Sequence, residues 1–398
     1  MTEITENTRR IIEKEDRLLS YTTRVPYYPL VVDRAKGSHV WDVEGNEFID
    51  LLASAAVINV GHNHEKVLEA VHEQVDRFIH YTPAYMYHVP HTKLAEKLVE
   101  ITPGDFEKRV AFALSGSASV DGAIKAARSY TGRNHIVSFY HSYHGTTIGS
   151  LSVSGYGSDM RKGMGSLVPD VHFIPFPDSY RGKRTEECLE SFRELITMIV
   201  PAESIAAVIY EPIQGDAGIL IPEQAFYIEV EKICRENGIL LIADEVHTGF
   251  GRTGAMFASE LFHIDPDIIV LGKAIAAGMP LSAIVGRKEI MEAWHTPVHF
   301  FNTAGNPVSC AAATASIEVI EEEHLLENAV TVGNYMMERF KDMMTRHECI
   351  GDVRGSGLMI GVDIVKNRES KERDVQTTAK ICYRCWEKGV ILAFFSGC

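Results

Sequence analysis

The chain has no run of roughly 18 apolar residues, the length a helix needs to cross a bilayer, so no membrane span is expected. Its first residues, MTEITENTRRIIEKEDRLL, are polar and charged and lack the apolar stretch of a secretory signal. Cysteine is sparse: seven residues, an odd number, are scattered over 398. That excludes a disulfide framework and fits a reducing compartment, so a cytoplasmic location is expected. The one close pair, Cys382 and Cys385, has no second pair to complete a zinc site and no thioredoxin-type context. It reads as two ordinary thiols, and no metal site is expected. Positive charge is also short: 39 Lys and Arg face 54 Asp and Glu, a net charge of −15. Nucleic-acid backbones and anionic membranes would be repelled, whereas a small anionic ligand held by local groups remains possible. Repeats, low-complexity tracts and long linkers are absent as well.

What is present is an ordinary globular balance, 45% hydrophobic and 23% charged, able to bury a sizeable core. The length suggests two or three domains, or one large domain with a satellite. Short apolar runs alternate with helical patterns. VAFAL (110–114), HIVSF (135–139), VHFIPF (171–176), IAAVIY (205–210), ILLIA (239–243) and IIVLG (268–272) are apolar on both faces, as strands of a covered parallel sheet are. Between them, Glu223–Asn237 places Phe226, Val230, Ile233 and Cys234 on one helical face, with Gly238 as the stop. The fold class is α/β, with a mostly parallel central sheet covered by helices. Ligands of such sheets bind beyond the carboxyl ends of the strands.

The two ends of the chain differ from its middle. HVWDVEGNEFIDLLAS (39–54) predicts a hairpin turning at Gly45-Asn46. A long helical region, about 312–347, precedes GDVRGSGLMIGVDIV (351–365), which predicts a strand. A smaller α+β domain built from both ends is therefore expected. Residues 1–65 and 306–398 would form it, and 66–305 the large domain.

Three constellations carry chemistry. In VAFALSGSASVDGAIKAAR (110–128) a strand leads through small residues into a helix, whose exposed N–H groups and dipole make a phosphate cup, or else an ordinary serine-capped turn. GFGRTG (249–254) matches G-x-G-x-x-G, the mark of a rival class, the nicotinamide oxidoreductases. It stands five residues beyond its strand, with no convincing helix at Gly254. Lys273 follows an apolar strand and precedes small residues, a confined place where desolvation would lower its pKa and favour a Schiff base. A phosphate cup, an acid at a strand end (Asp244) and such a lysine are what pyridoxal 5'-phosphate requires. Asp244 suits the pyridine nitrogen. Glu245 should turn the other way and make a structural contact.

These residues resemble the class III, fold type I, pyridoxal-phosphate aminotransferases over nearly the whole chain. The shared signature is D-E-V-x-x-G-x-G-R-T-G, with a lysine 29 positions beyond the aspartate, at 273. The resemblance implies that Lys273 carries the cofactor, that Asp244 pairs its ring nitrogen, and that Val246 packs on the ring. Gly116 and Ser117 would hold the phosphate. In SYHG (142–145) Tyr143 would stack on the opposite ring face, and EPIQG (211–215) would bring in Glu211 and Gln214. NTAGNP (302–307) is similar to a loop that reaches the neighbouring subunit's phosphate, through Asn302 or Thr303. A homodimer or dimer of dimers with shared active sites is implied.

Within that family YYPLVVD (27–33), DLLASAAVINVGHNHEKV (50–67), HYTPAY (80–85), EPIQGDAG (211–218) and GMPLSAIVG (278–286) resemble the amino-acid racemases, isoleucine 2-epimerase and α-amino-ε-caprolactam racemase. Asp216 occupies a position that this branch fills with aspartate. The implied function is racemization or epimerization of a neutral α-amino acid, with an ω-amino-acid or 4-aminobutyrate type aminotransferase as the alternative. Lys273 would remove the α-proton in either case; a racemase also needs an acid/base on the opposite face, which Asp216 would supply, through a water or Tyr143 or directly. Taken alone, Asp216 would be a loop carboxylate that shapes the pocket.

The sequence departs from the family pattern at four places. His247 stands where many aminotransferases carry a glutamine that bonds the cofactor's phenolic oxygen; imidazole can donate the same bond but titrates near neutrality. Ala118 replaces an acid after Gly-Ser, which should weaken one local contact. The phosphate-contacting threonine of the partner loop falls on Asn302, with Thr303 next. The chain ends at GVILAFFSGC, where relatives continue through an R-x-x-P-P segment and a closing helix, so a truncated chain or an altered carboxylate site is expected.

Overall fold

The computed structural model describes residues 4–395; Ser396, Gly397 and Cys398, the last part of GVILAFFSGC, lie outside the described residues. Strands β1 (Val32–Lys36), β2 (His39–Asp42) and β3 (Glu47–Asp50) form a meander near the N-terminus. β4 (Lys108–Ala113), β5 (His135–Phe139), β6 (Val171–Ile174), β7 (Ile205–Tyr210), β8 (Leu240–Asp244), β9 (Ile268–Leu271) and β10 (Ser282–Arg287) build the large sheet. β11 (Ile350–Ser356), β12 (Met359–Ile364) and β13 (Val390–Ile391) follow. The large sheet runs β4-β10-β9-β8-β7-β5-β6. Its strands are parallel except β10, which is antiparallel to both β4 and β9. In the small sheet β13 adds in parallel to β3, so the two ends of the chain share one sheet.

β7, β8 and β9 are buried along their whole length, as their uninterrupted apolar runs require. Side chains alternate between two cores. Leu240 and Ile242 pack on the helix Gly116–Thr131, whereas Leu241 and Ala243 face the core that holds Phe226 and Phe257. This period of two decides where the acids go. Asp244 continues the Leu240–Ile242 row toward the Gly116 helix, and Glu245 continues the other row.

Three elements differ from expectation. β10 was hidden in the small-residue run after Lys273. The 312–347 region is two helices, Pro307–Glu322 and Leu325–Arg346, broken where His324 adopts φ 53°. GDVRGSGLMIGVDIV is a hairpin, β11 and β12, rather than one strand, because Gly357 turns the chain at φ 54°. The Glu223–Asn237 helix forms as expected from Gln224, and Gly238 caps it in the left-handed region.

The register of β8 on β9 places Asp244 and Lys273 at the same edge of the sheet, and Asp267 fixes it from the opposite edge. Its backbone N–H donates to the Leu241 carbonyl at 3.0 Å, and its carboxylate accepts from Leu241 N at 2.9 Å. The same buried carboxylate binds Arg235 at 2.6 and 2.7 Å and Arg287 at 2.8 Å. Asp267→Ala would remove the carboxylate that Arg287 and Arg235 share, leaving Arg235 only the Glu231 carboxylate at 3.3 Å, and lower stability by roughly 3 kcal/mol. A denaturant midpoint unchanged from wild type would contradict this role.

Candidate active site

The carboxyl ends of β5, β7, β8 and β9 deliver side chains into one cleft. Asp244 ends β8 and is buried. Its Oδ2 lies 2.7 Å from His144 Nδ1, and its Oδ1 accepts from Val246 N at 3.1 Å. Glu245 points into the other core. It accepts from Ala258 N at 3.0 Å, Ser259 N at 2.7 Å, Ser259 Oγ at 2.7 Å and also Thr248 Oγ1, so it braces the loop that carries GFGRTG. That loop is a series of turns leading to a short helix at Ala258, not the strand–helix junction of a dinucleotide site.

Val246 wedges between two glycines. A Cβ on Gly116 would come within 3.0 Å of the Val246 methyl groups, and one on Gly272 within 3.3 Å. The cup before the Gly116 helix is thereby packed against the residue preceding Lys273. Ser115 caps the helix by accepting from Ala118 N at 3.3 Å. Gly116 and Ser117 lie in the first turn, where N–H groups have no intrahelical acceptor. Ser117 Oγ accepts from Thr146 N at 3.1 Å. β10 contributes Ser282, which donates to the Ser115 carbonyl at 2.7 Å.

Lys273 begins a short 3-10 turn at φ 44°, a conformation rare for a side chain of its size and characteristic of functional positions. Burial lowers the amine's pKa below 10.5 and Arg252 adds to the fall, whereas Asp216, Glu211 and Asp244 oppose it. The carboxylates respond in kind. Burial raises Glu211 well above its ordinary range, helped by Asp244 and Asp216. Burial also raises Asp216, and Lys273 restrains it.

Glu211 organises the cleft through backbone groups. Its Oε1 accepts from Tyr143 N at 2.8 Å and its Oε2 from Gly215 N at 3.0 Å. The Tyr143 ring meets Tyr156 edge-on, centroids 6.1 Å apart. Gln214 is fully buried, with Nε2 donating to the Tyr140 carbonyl at 3.1 Å. Gln214 Oε1 and His144 Nε2 are buried without a partner among the described residues. Such orphaned atoms are costly unless a ligand completes them. Together with the open helix turn and the carboxylate at the strand end, they fit a phosphorylated, ring-nitrogen cofactor such as pyridoxal phosphate.

His247 lies against Gly215 so closely that a Cβ there would sit 2.2 Å from its Nδ1. Burial drives its pKa well below 6.5, and Lys273 and Arg252 push it further. The near-neutral titration expected from an isolated imidazole is therefore suppressed. Asn302 and Thr303 occupy an exposed turn ahead of the helix Pro307–Glu322. In the single chain they are not joined to the Lys273 cluster.

Sequence reasoning passed over His144 and Arg252, although both stand inside quoted motifs. Arg252 donates to Asn59 Oδ1, and Asn59 Nδ2 donates to the Phe250 carbonyl at 2.8 Å, so an N-terminal segment closes over the signature loop. Burial lowers the Arg252 pKa to about 10, with Asp50 opposing. Spacing within a motif cannot reveal partners that lie some hundred residues away.

His247 should remain neutral between about pH 6 and 8. Its depressed folded-state pKa contributes stability that is full above the ordinary value of 6.5 and is lost as pH falls below it. Histidine-labelled NMR, with His247→Gln for assignment, should show no titration step in that window. A midpoint near 6.5 would contradict the assignment.

The family described as aminotransferase class III matches residues 20–396. Isoleucine 2-epimerase of Lentilactobacillus buchneri is 45% identical over 396 residues, which is 98% of this chain and 88% of that protein. Leucine/methionine racemase of Thermococcus litoralis is 47% identical over 394 residues, 97% of this chain and 88% of that protein. An amine transaminase from an uncultivated Pseudomonas species, solved in its PLP-bound form, is similar with a TM-score of 0.88 and 31% identity, covering 96% of this chain and 90% of that one. The mostly parallel sheet, the cleft at its carboxyl edge and these likenesses agree: the chain belongs to the class III aminotransferase family and is an enzyme of that class.

Proposed function

We propose that the protein is a pyridoxal-phosphate-dependent racemase or epimerase of a neutral α-amino acid. The observation that carries this reading is that Lys273 and Asp216 lie within electrostatic reach of one another, Asp216 opposing the fall of the lysine's pKa and Lys273 restraining the rise of the aspartate's. Racemization needs two proton-handling groups, one for each side of the α-carbon. The names of the two racemase and epimerase relatives support the same reading.

Pyridoxal phosphate, when bound, supplies an electron sink that makes the α-proton of an attached amino acid removable. Lys273 would anchor it. Asp244, steadied by His144, would hold the ring nitrogen, and Val246 and Tyr143 would bracket the ring. Gly116 and Ser117 would bind the phosphate through the helix turn. His247 and Gln214 would serve the phenolic side, and neutrality suits His247 to donating one hydrogen bond without adding a charge. Glu211 positions Tyr143 and Gly215. Lys273 Nζ takes and returns the proton on one side, and its lowered pKa leaves more of it as free base. Asp216, whose raised pKa favours holding a proton, works on the other, directly or through a water or Tyr143. Arg252 shares the cleft's electrostatics with Lys273 and His247. Tyr27 and Tyr143 lie within electrostatic reach of both Asp216 and Tyr156, Tyr143 meets Tyr156 edge-on, and Phe395 meets His247 edge-on at 6.5 Å; such rings suit an apolar substrate side chain.

The cleft belongs in this reading to a large domain of residues 66–305, with 1–65 and 306–398 completing the smaller one. The proposed compartment is the cytoplasm, in keeping with the free thiols among the described residues. No helix of the described residues is long and apolar enough to cross a membrane. The proposed assembly is a homodimer or a dimer of dimers with shared sites. The segment 78–89 supports it, with Tyr85 70%, Val89 80% and Tyr87 fully exposed in the single chain. Apolar surface of that density is usually covered. A second reading, an aminotransferase of the ω-amino-acid or 4-aminobutyrate type, draws on the transaminase among the structural neighbours.

Incubation of the cofactor-loaded protein with L-isoleucine, L-leucine or L-alanine, without a keto acid, should yield the α-inverted amino acid. Stoichiometric keto acid with cofactor in its pyridoxamine form would instead establish the aminotransferase. Lys273→Ala should abolish both the turnover and the visible absorbance of the lysine-bound cofactor. Light scattering should give at least twice the 44.3 kDa chain mass, and Tyr87→Asp with Val89→Asp should shift it toward the monomer. A wild-type monomer would exclude sites shared between subunits.

A further inference from the structure

Asp216 sits in a tight loop whose two halves are held by different parts of the molecule. Gln214 and Leu220 close its base, N to O at 3.1 and 3.0 Å. On the near side, Gly215 is fixed by Glu211 and pressed against His247. On the far side, arginines hold three successive carbonyls, Arg354 from β11 and Arg373 from the segment that follows β12. Arg373 Nη2 donates to the Ala217 carbonyl at 2.6 Å. Arg354 donates through Nε to the Ile219 carbonyl at 2.8 Å and through Nη2 to the Gly218 carbonyl.

The loop needs holding. Ile219, a β-branched residue, adopts φ 56°, a left-handed conformation that such residues strongly disfavour. Gly361 of β12 also presses on it: a Cβ there would stand 3.0 Å from Ile219 Cβ and 3.2 Å from the Gly218 carbonyl oxygen.

The arginines share one acid, and Arg354 is held besides by Asp352 at 2.7 Å. Asp363 is completely buried and lies 3.1 Å from Arg354 and 3.8 Å from Arg373. It also binds Arg181, from the large-sheet side, at 2.7 and 2.9 Å. Burial alone would raise its pKa; Arg181, Arg354 and Arg373 outweigh burial and keep it below the usual carboxylate range. This carboxylate thereby aims two guanidiniums at the loop's backbone.

We propose that Arg354 and Arg373, gathered by Asp363, are positioning residues that hold the Asp216 loop opposite Lys273, so that proton return from the Asp216 side depends on them. This rests on reading Asp216 as the second acid/base. Neither arginine needs to touch substrate. Their effect should fall on one face of the reaction only, which a general loss of structure would not reproduce.

The test uses the holoenzyme in D₂O with L-isoleucine, L-leucine or L-alanine as probe, choosing one the wild type turns over. Two rates are followed by NMR and chiral chromatography. α-Deuteration with retained configuration reports the Lys273 side. Inversion requires both sides. Arg373→Gln and Arg354→Gln should lower the ratio of inversion to retained exchange at least tenfold, and Arg373→Lys, which can still donate to a carbonyl, should recover part of it. Because both rates come from the same active molecules, partial unfolding cancels in the ratio. Equal losses of both rates, or an unchanged ratio, would overturn the proposal. Asp216→Asn separates the two layers. If it shifts the ratio and the arginine variants do not, the clamp alone is wrong. If it leaves the ratio unchanged, the reading of Asp216 fails and the clamp fails with it.

Discussion

A lysine amine at the mouth of a parallel sheet is a charge drawn out of water, and at Lys273 only neighbouring carboxylates offset that loss. Asp216, Glu211 and Asp244 supply the offset, yet burial raises the pKa of Glu211 and Asp216, and Asp244 is buried beside a partner. Asp244 has His144. Glu211 has the N–H groups of Tyr143 and Gly215. Asp216 has Lys273. The result is a small set of groups whose protonation is interdependent, with His247 excluded from it because two cations and burial keep its imidazole neutral. A charge change near pH 7 at His247 would disturb every other member, so its suppression is part of the same balance.

The scaffold enforces this balance by direction and by register. Alternation along β8 sends Asp244 to one core and Glu245 to the other, which turns two adjacent acids into a cleft residue and a brace for the signature loop. Asp267, at the far edge, ties β8 to β9 and so fixes where Lys273 emerges. β10 returns antiparallel and brings Ser282 beneath Ser115, joining the cup to the same framework. Val246 fills the gap between Gly116 and Gly272, where no larger residue at either glycine would fit without displacing it. The β11–β12 hairpin and the segment after it contribute Arg354, Asp363 and Arg373 to the arginine hub, which meets the cleft through the backbone of residues 217–219.

Much of the fold was legible because burial on both faces leaves an unmistakable mark: β5 and β7 coincide with HIVSF and IAAVIY. β10 was not, since SAIVGR is short and mixes small and polar residues with its apolar ones, and antiparallel return cannot be inferred from apolarity. The β11–β12 hairpin passed for one strand because Gly357 is one of several glycines in GDVRGSGLMIG, and only its left-handed φ marks the turn. Lys273 and Asp244 in the cleft, and Glu245 turned away from it, follow from strand-end position. His144 does not, because its partner is a hundred residues away. His247 was visible as a residue but not as a neutral one, since its state is set by burial first and then by Lys273 and Arg252, none of which its position in the motif reveals. Asn302 and Thr303 belong to an exposed turn, and a single chain offers them no partner at the Lys273 cluster.

The central claim is that two different groups handle the proton on the two faces of the α-carbon. Its most direct test is the isotope in the product formed early in reaction, starting from the α-protiated L-amino acid in D₂O. The account predicts inverted product in which the α-position is deuterium, because the proton taken by Lys273 is not the one delivered from the side of Asp216. Inverted product that retains a large share of the original α-protium would mean that one group serves both faces, and would contradict the account.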